Sequence, residues 1–415
     1  MQRLKLFNIS STSQTVALAS LLSFGTQVVF ALLMLRWFTP QEVGEFSVIS
    51  QIAFFWMTLA LAQAPLSLLV NHTHAAHQEA RRHWLSSMWR WCVLAPLAGL
   101  ALWVSQLQLL PALWWVMLIA LCQLSWGLAQ SFVLRTGTTR QQLYVRVVPP
   151  VCSVLVAWIG SQWIEPTHWQ GPTLLLAASI GYWVGSLWLV PAWFNSTDEI
   201  ATNTHSPAPV AQPQSDTQSH QQQTDNRSSF LRLTHTFFDV LLATTVIIVW
   251  QRLYGAQETG WLGALLRVLG FVPAVIHMAW AQVQLSHPSQ ANKRSLGVGF
   301  LGCFALLGLG LTSVFALQMQ WLDTTWQGIA QYVWPLVLWQ GSACLSASVS
   351  HRPFQTGVAR QYSWACIGIA GLQIAWLLAP AFFNMDASPQ MHLISFAALS
   401  SLCLLGLTKW MQGLR

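Results

Sequence analysis

"RWFTPQEVGEF", residues 36–46, separates two long apolar runs, and "RLYGAQETGWL", residues 252–262, separates two more. Adding 216 to the first set of numbers superposes the two stretches. Arg36 then falls on Arg252, Gln41 on Gln257, Glu42 on Glu258 and Gly44 on Gly260, and the aromatic Phe38 falls on Tyr254. A polar hinge that recurs at the same place in two hydropathy patterns marks an internal duplication. Its position, after the first apolar run of each half, sets the architecture.

Outward from the hinges the chain is apolar almost throughout. Of 415 residues 54% are hydrophobic and 7% are charged, against about 25% charged in ordinary soluble domains. Such a composition excludes a water-soluble globule and predicts a polytopic membrane protein. At about 20 residues per span, the predicted helices are 15–35, 43–70, 84–105, 112–133, 147–164 and 173–194, then 236–253, 259–285, 296–318, 329–350, 362–380 and 391–411. The fold class is therefore all-α, with twelve transmembrane helices in two six-helix bundles. An even number of spans per bundle makes the repeat parallel. The expected domains are 1–194, a linker 195–235 and 236–415. The linker is rich in Gln, Ser, Thr and Pro, cannot bury a core, and is expected to be disordered.

The net charge of +7 is distributed asymmetrically. Of 19 lysines and arginines, 16 fall on the side of the termini, Arg36 and Arg252 fall on the other, and Arg267 lies within a span. This bias places both termini in the cytoplasm. It also accounts for the basic charge without nucleic acid. Trp37, Trp84, Trp103, Trp163, Trp261, Trp321 and Trp410 stand near span ends, as interfacial anchors do. The seven cysteines are scattered through apolar runs, which suits free thiols and not a zinc or disulfide framework. His72, His74, His77 and His83 form an H-x-H-x-x-H-like run, which reads better as a headgroup-facing loop than as a metal site. No metal and no cofactor are expected. P-loop, HExxH and GxSxG patterns do not occur.

The hinge context "LRWFTPQEVGEFSVISQIAFF" resembles the multidrug/oligosaccharidyl-lipid/polysaccharide exporter superfamily, and within it the bacterial polysaccharide flippases, including the O-antigen type. Arg36, Pro40, Glu42, Gly44 and Phe46 carry that resemblance. "LRTGTTRQQLYVR" at 134–146 and "YGAQETGWLGALLRVLGFVPAV" at 254–275 extend it. The resemblance implies a V-shaped, two-lobed inner-membrane transporter. Its substrate would be an undecaprenyl-pyrophosphate-linked oligosaccharide, and its further partners membrane lipids, a polysaccharide polymerase and chain-length machinery.

Six residues are candidates for contact with such a substrate. Arg267, about 12 Å into its helix, could grip a pyrophosphate bidentately, the alternative being a snorkelling side chain. Gln51 is its repeat counterpart. Arg90 is either a headgroup ligand or a snorkelling stem. Arg36 and Arg252 are either outer gate residues or, as the simpler expectation, partners of their own hinge acids Glu42 and Glu258. His277 lies ten residues beyond Arg267, so at 100° per residue the two should point about 80° apart, and one should face packed neighbours. Asp239 is a candidate coupling group, with His235 at i−4 available to neutralise it. A cation-coupled drug exporter is the main alternative, although its mechanism calls for core carboxylates where this chain carries Arg and Gln. A membrane glycan polymerase or ligase would need a substantial outer loop. An exiting anion moves down the membrane potential by about 2.3 kcal/mol per charge per 100 mV, so the flippase needs no dedicated proton site.

Overall fold

The computed structural model describes residues 11–70, 75–163, 170–194, 217–281, 284, 295–383 and 386–414. These form an all-helical protein. In the first half the helices are α1 (Ser11–Trp37), α2 (Pro40–Leu61), α3 (Ala64–Val70), α4 (Ala76–Ser105), α5 (Leu109–Thr136), α6 (Thr139–Trp163), α7 (Gln170–Ser186) and α8 (Pro191–Phe194). The second half comprises α9 (Thr217–Leu269), α10 (Phe271–Val275), α11 (Ser295–Gln318), α12 (Ala330–Val349), α13 (Arg352–Gln355), α14 (Ala359–Phe383) and α15 (Pro389–Gly413). Among the described residues nine helical stretches are long and apolar enough to cross a membrane. Large apolar side chains stand outward around them, including Trp103, Trp114, Leu301 and Phe304. Only lipid can cover that surface, so this is a multi-pass membrane protein.

α9 contains two of the expected spans. At Gly255 the backbone takes φ 86°, which a side chain would oppose. His235, 20 residues before this point, and His277, 22 residues after it, line one cavity, so the chain reverses here. One expectation fails at the other end. The helix begins at Thr217, well inside the stretch expected to be linker. Gln is a good helix former, and the run that contains three consecutive glutamines continues the turn of the apolar span after it. Residues 195–216, and likewise His72 and His74, lie outside the described residues.

Pro65 interrupts the second expected span. α2 stops at Leu61, Ala62 adopts φ 47° and ψ −119°, and α3 starts at Ala64. A proline ring clashes with the carbonyl four residues earlier, here that of Leu61. The released carbonyl accepts a hydrogen bond from Arg90 Nη2 at 3.3 Å. Nearby, Arg135 Nη1 donates to Leu68 O at 3.0 Å and pairs with Glu79 at 2.7 Å, fastening α5 to α3 and α4.

Candidate functional site

The two hinges meet. α2 opens with a full capping box: Thr39 and Glu42 exchange side-chain-to-backbone hydrogen bonds, and Pro40 occupies the first turn. Its next turn presents Gly44, whose α-carbon faces the backbone carbonyl of Ala256, while Gly260 faces that of Pro40. Ala256 is Pro40 plus 216 and Gly260 is Gly44 plus 216, so each hinge glycine receives the partner copy's counterpart of position 40. A Cβ at either glycine would overlap the opposing carbonyl oxygen.

The hinge arginines follow the same reciprocity, and neither pairs with its own hinge acid as expected. Arg36 Nη1 donates to Trp321 O at 3.3 Å, across to the second half. Arg252 Nη1 donates to Val104 O at 3.2 Å, across to the first half. The acids are otherwise engaged. Glu42 is held in its capping box, and Glu258 accepts hydrogen bonds from Tyr332 Oη and from Gln331 Nε2. Trp326 Nε1 adds a further bond across the halves, to Phe38 O at 3.2 Å. The hinge end of the molecule is thus closed by contacts made twice.

Below this crossing lies a central cavity of about 730 Å³, running from Ser47 and Gly263 down to His235, Ser350 and Tyr362. It brings together Gln51, Arg267, His277 and Asp239. Arg267 and His277 both line this cavity, but the Arg267 guanidinium is packed against Ser50 and Phe46 while His277 is exposed, so one of the two faces packed neighbours, as expected. The chain between them stays helical through Gly270, which keeps right-handed geometry (φ −65°, ψ −17°) and donates to Leu266 O at 2.9 Å, and it passes into a π-helix only at Ile276. His277 Nδ1 lies 3.2 Å from Ser350 Oγ. Asp239 stands exposed at the lower end of the cavity, with no ion-pair partner within 4 Å among the described residues. His235 packs edge-on against Tyr362 instead of pairing with Asp239. Arg90 is outside this cavity. It lines a smaller recess of about 290 Å³ with Gln63, Ser67, His83 and Phe230. Its donor to Leu61 O makes it first a helix-break clamp.

Arg267 sits at the most informative point. Its guanidinium crosses from α9 into the first half, donating to Ser50 Oγ at 2.8 Å and to Met34 Sδ at 3.6 Å, with Cζ 4.4 Å above the Phe46 ring. All three supports are neutral. No carboxylate lies within ion-pair distance, since the one ion pair among the described residues is Arg135–Glu79. The snorkelling alternative does not describe this geometry. Gln51, its repeat counterpart, donates instead to Thr244 Oγ1 at 3.4 Å across the halves. Ser50 and Met34 escaped sequence reasoning because nothing marks them individually, and Phe46 was noted only as a motif residue. Their one signal was position, beside Gln51, the copy of Arg267.

No protein-family model and no curated protein matches the sequence. The fold has known parallels. A solved lipid II flippase MurJ, in an inward closed conformation, superposes with a TM-score of 0.64 at 12% identity, over 96% of this chain and 87% of that one. The MATE multidrug transporter DinF-BH gives 0.58 at 11% identity over 99% and 97%. An inward-facing multidrug resistance MATE family transporter of the MOP superfamily gives 0.54 at 12% over 95% and 94%. The chain has the MOP/MATE-like transporter fold.

Proposed function

We propose that this protein is a flippase that carries a polyprenyl-pyrophosphate-linked oligosaccharide, an O-antigen or other surface-polysaccharide repeat unit, between the leaflets of a bacterial inner membrane. The observation that carries the reading is Arg267: a permanently charged group within the membrane, held by a hydroxyl, a thioether and an aromatic face, and opening on the central cavity. An intramembrane cation without an acidic partner is costly unless a ligand supplies the anion. The fold is shared with a lipid II flippase and with MATE multidrug transporters alike, so the choice between them rests on Arg267. With both termini cytoplasmic, the hinge end faces outward, and the cavity lies on the side from which the substrate is loaded.

The test is a substitution series scored by surface glycan in a strain lacking the native protein. Lysine keeps the charge of Arg267 but loses the bidentate fork, and alanine loses both. A charge-assisted contact of about 1.5–3 kcal/mol corresponds to one to two decades of affinity. Export should fall in the order Arg, Lys, Ala, with Glu lowest, at equal membrane abundance. Wild-type export from Arg267→Ala overturns the reading.

A second reading is a cation-coupled multidrug exporter, and Asp239 favours it, being a carboxylate exposed in the cavity beside two histidines, His235 and His277, and in no ion pair within 4 Å among the described residues. Asp239→Asn should then abolish transport of lipophilic cations while leaving glycan export unchanged. The flippase reading expects no cation transport to lose.

A further inference from the structure

A second chamber, about 420 Å³, lies inside the first half beside the guanidinium of Arg267, which lines both chambers. Its size falls within the roughly 300–1,000 Å³ of small-molecule sites. Its walls come from α1, α2, α5, α6 and α7, with the end of α9 as its door. Two features distinguish it from a packing defect. The first is an orphan acceptor. Gln123, on α5, is only 6% exposed, lines the chamber, and its Oε1 has no hydrogen-bond partner. A buried carbonyl oxygen left unpaired is destabilising, and sites built for a ligand hold such groups ready for it. The second is an aromatic wall set by glycines. Trp126 and Tyr182 stand with ring centroids 5.4 Å apart, and Trp126 Nε1 is fixed to Val145 O at 2.7 Å. The indole lies against Gly185 of α7, where any Cβ would overlap it, and Ser153 lies against Gly181 in the same way. Small residues on α7 thus seat a flat aromatic face and a hydroxyl in the chamber wall.

An aromatic face, an unpaired amide acceptor and hydroxyls, next to a cation, form a particular combination. Apolar C–H faces of a pyranose pack on aromatic rings, and its hydroxyl groups donate to carbonyl oxygens. The cation fits the phosphate to which such a ring is attached. We propose that this chamber is a sugar subsite, which takes the pyranose bonded directly to the pyrophosphate held at Arg267, with a ring hydroxyl donating to Gln123 Oε1. This rests on the flippase reading and deepens it. It locates the glycan end of the substrate in the first half and leaves the central cavity for the phosphates and the outer sugars. It also makes Arg267 the boundary between two recognition tasks.

The test uses the full chain in lipid nanodiscs and two synthetic probes, farnesyl diphosphate and farnesyl-diphospho-N-acetylglucosamine, with affinities measured by calorimetry. The sugar-bearing probe should bind at least about tenfold more tightly, or about 1.4 kcal/mol. Gln123→Met, of similar length and without the acceptor, should erase that advantage and leave farnesyl diphosphate binding unchanged. Equal affinity of the wild type for both probes, with Arg267→Ala weakening both, overturns the sugar subsite and leaves the flippase reading standing. Failure of the wild type to bind either probe brings down the flippase reading and the subsite with it. An advantage that survives in Gln123→Met overturns the subsite. If Gln123→Met binds neither probe or does not fold, Tyr182→Leu, which removes the ring, decides: a reduced sugar advantage supports the subsite, and an unchanged one overturns it.

Discussion

The two hinges share a sequence pattern and differ in what holds them. The first is self-contained: Thr39 caps α2, Glu42 closes the box, and Pro40 fits the first turn. In the second, Gly255 stands where Thr39 stood and takes φ 86°, so no side chain is available to cap the following helix. Glu258, released from any capping box, turns to the second half's own core and accepts from Tyr332 and Gln331. Tyr332 in turn receives Trp250 Nε1 at 3.2 Å, and Trp250 stacks on His392. One copy is thus stabilised locally, the other by a buried network. The same acid in the same motif does different work because one neighbouring residue differs. What both copies retain is the reciprocal crossing, so the crossing is the shared element and the support of each hinge is free to vary.

The most forceful way to break that comparison is at the glycines. Gly44→Val or Gly260→Val places atoms where the opposing carbonyl sits. Either substitution should prevent closure of the hinge end and reduce transport by about two orders of magnitude or more, about 2.7 kcal/mol or more. Labelling of a cysteine introduced beside the crossing should rise to match. Equal effects from the two variants confirm reciprocity; normal transport by either disproves it.

The supports come next. Glu258→Ala leaves two donors without their acceptor in a partly buried site, at a cost of about 1–3 kcal/mol. Glu42→Ala loses only the reach-back bond of a capping box, about 0.5–1 kcal/mol. Thermal unfolding of the purified protein should therefore shift more for Glu258→Ala. An equal or reversed order would mean that the second hinge is no more dependent on its network than the first.

A smaller effect is expected from the arginines. Arg36→Gln and Arg252→Gln each weaken one bond to a carbonyl near the surface, about 0.5–1.5 kcal/mol. The closed fraction, read from spin-label distances across the hinge end, should fall several-fold for each and multiplicatively for both. A double variant no more open than a single one would show that the two bonds do not act independently.

The smallest concerns acid. The exposed Asp323 caps the short helical turn Thr324–Ile329, near the Trp321 carbonyl that Arg36 uses. The Thr325 N–H holds its carboxyl below the usual carboxylate range. A depressed carboxylate stabilises the folded state above its unfolded pKa, and that contribution is lost as pH falls through the lower folded value. Between pH 5 and pH 3 the wild-type melting temperature should drop slightly more than that of Asp323→Asn.

The hinge repeat and the all-α class were legible because hydropathy and the offset of 216 are properties of the chain itself; the division into twelve spans was not, since among the described residues nine stretches are long and apolar enough and one of them runs through the second hinge. The start of α9 was not, because Gln-rich sequence is compatible with both coil and helix and no apolar period separates them. The partners of Arg36 and Arg252 were hidden for a different reason. Both are main-chain carbonyls, 285 and 148 residues away, and a carbonyl leaves no trace in residue identity. One acceptor of Arg90 was hidden in the same way: it is Leu61 O, freed by a proline break whose position was legible but whose consequence was not. For Arg267 and His277 helical phase was a fair guide: the guanidinium is packed among Ser50, Met34 and Phe46, while the imidazole is exposed at the cavity. Arg267 itself was found from cost alone, as a charge in an apolar span.

The crossing has one more consequence. Contacts in which position 40 of one unit meets position 44 of the other, and the converse, are those of an isologous dimer interface. The molecule is organised as two subunits that happen to share a peptide chain. Expressed as two separate polypeptides, divided between 195 and 216, the halves should find each other and reassemble. By the same logic, a single ancestral unit could have worked as a homodimer before its gene was doubled. In a joined chain each copy can change alone, so that twin positions can differ as Gln51 and Arg267 do.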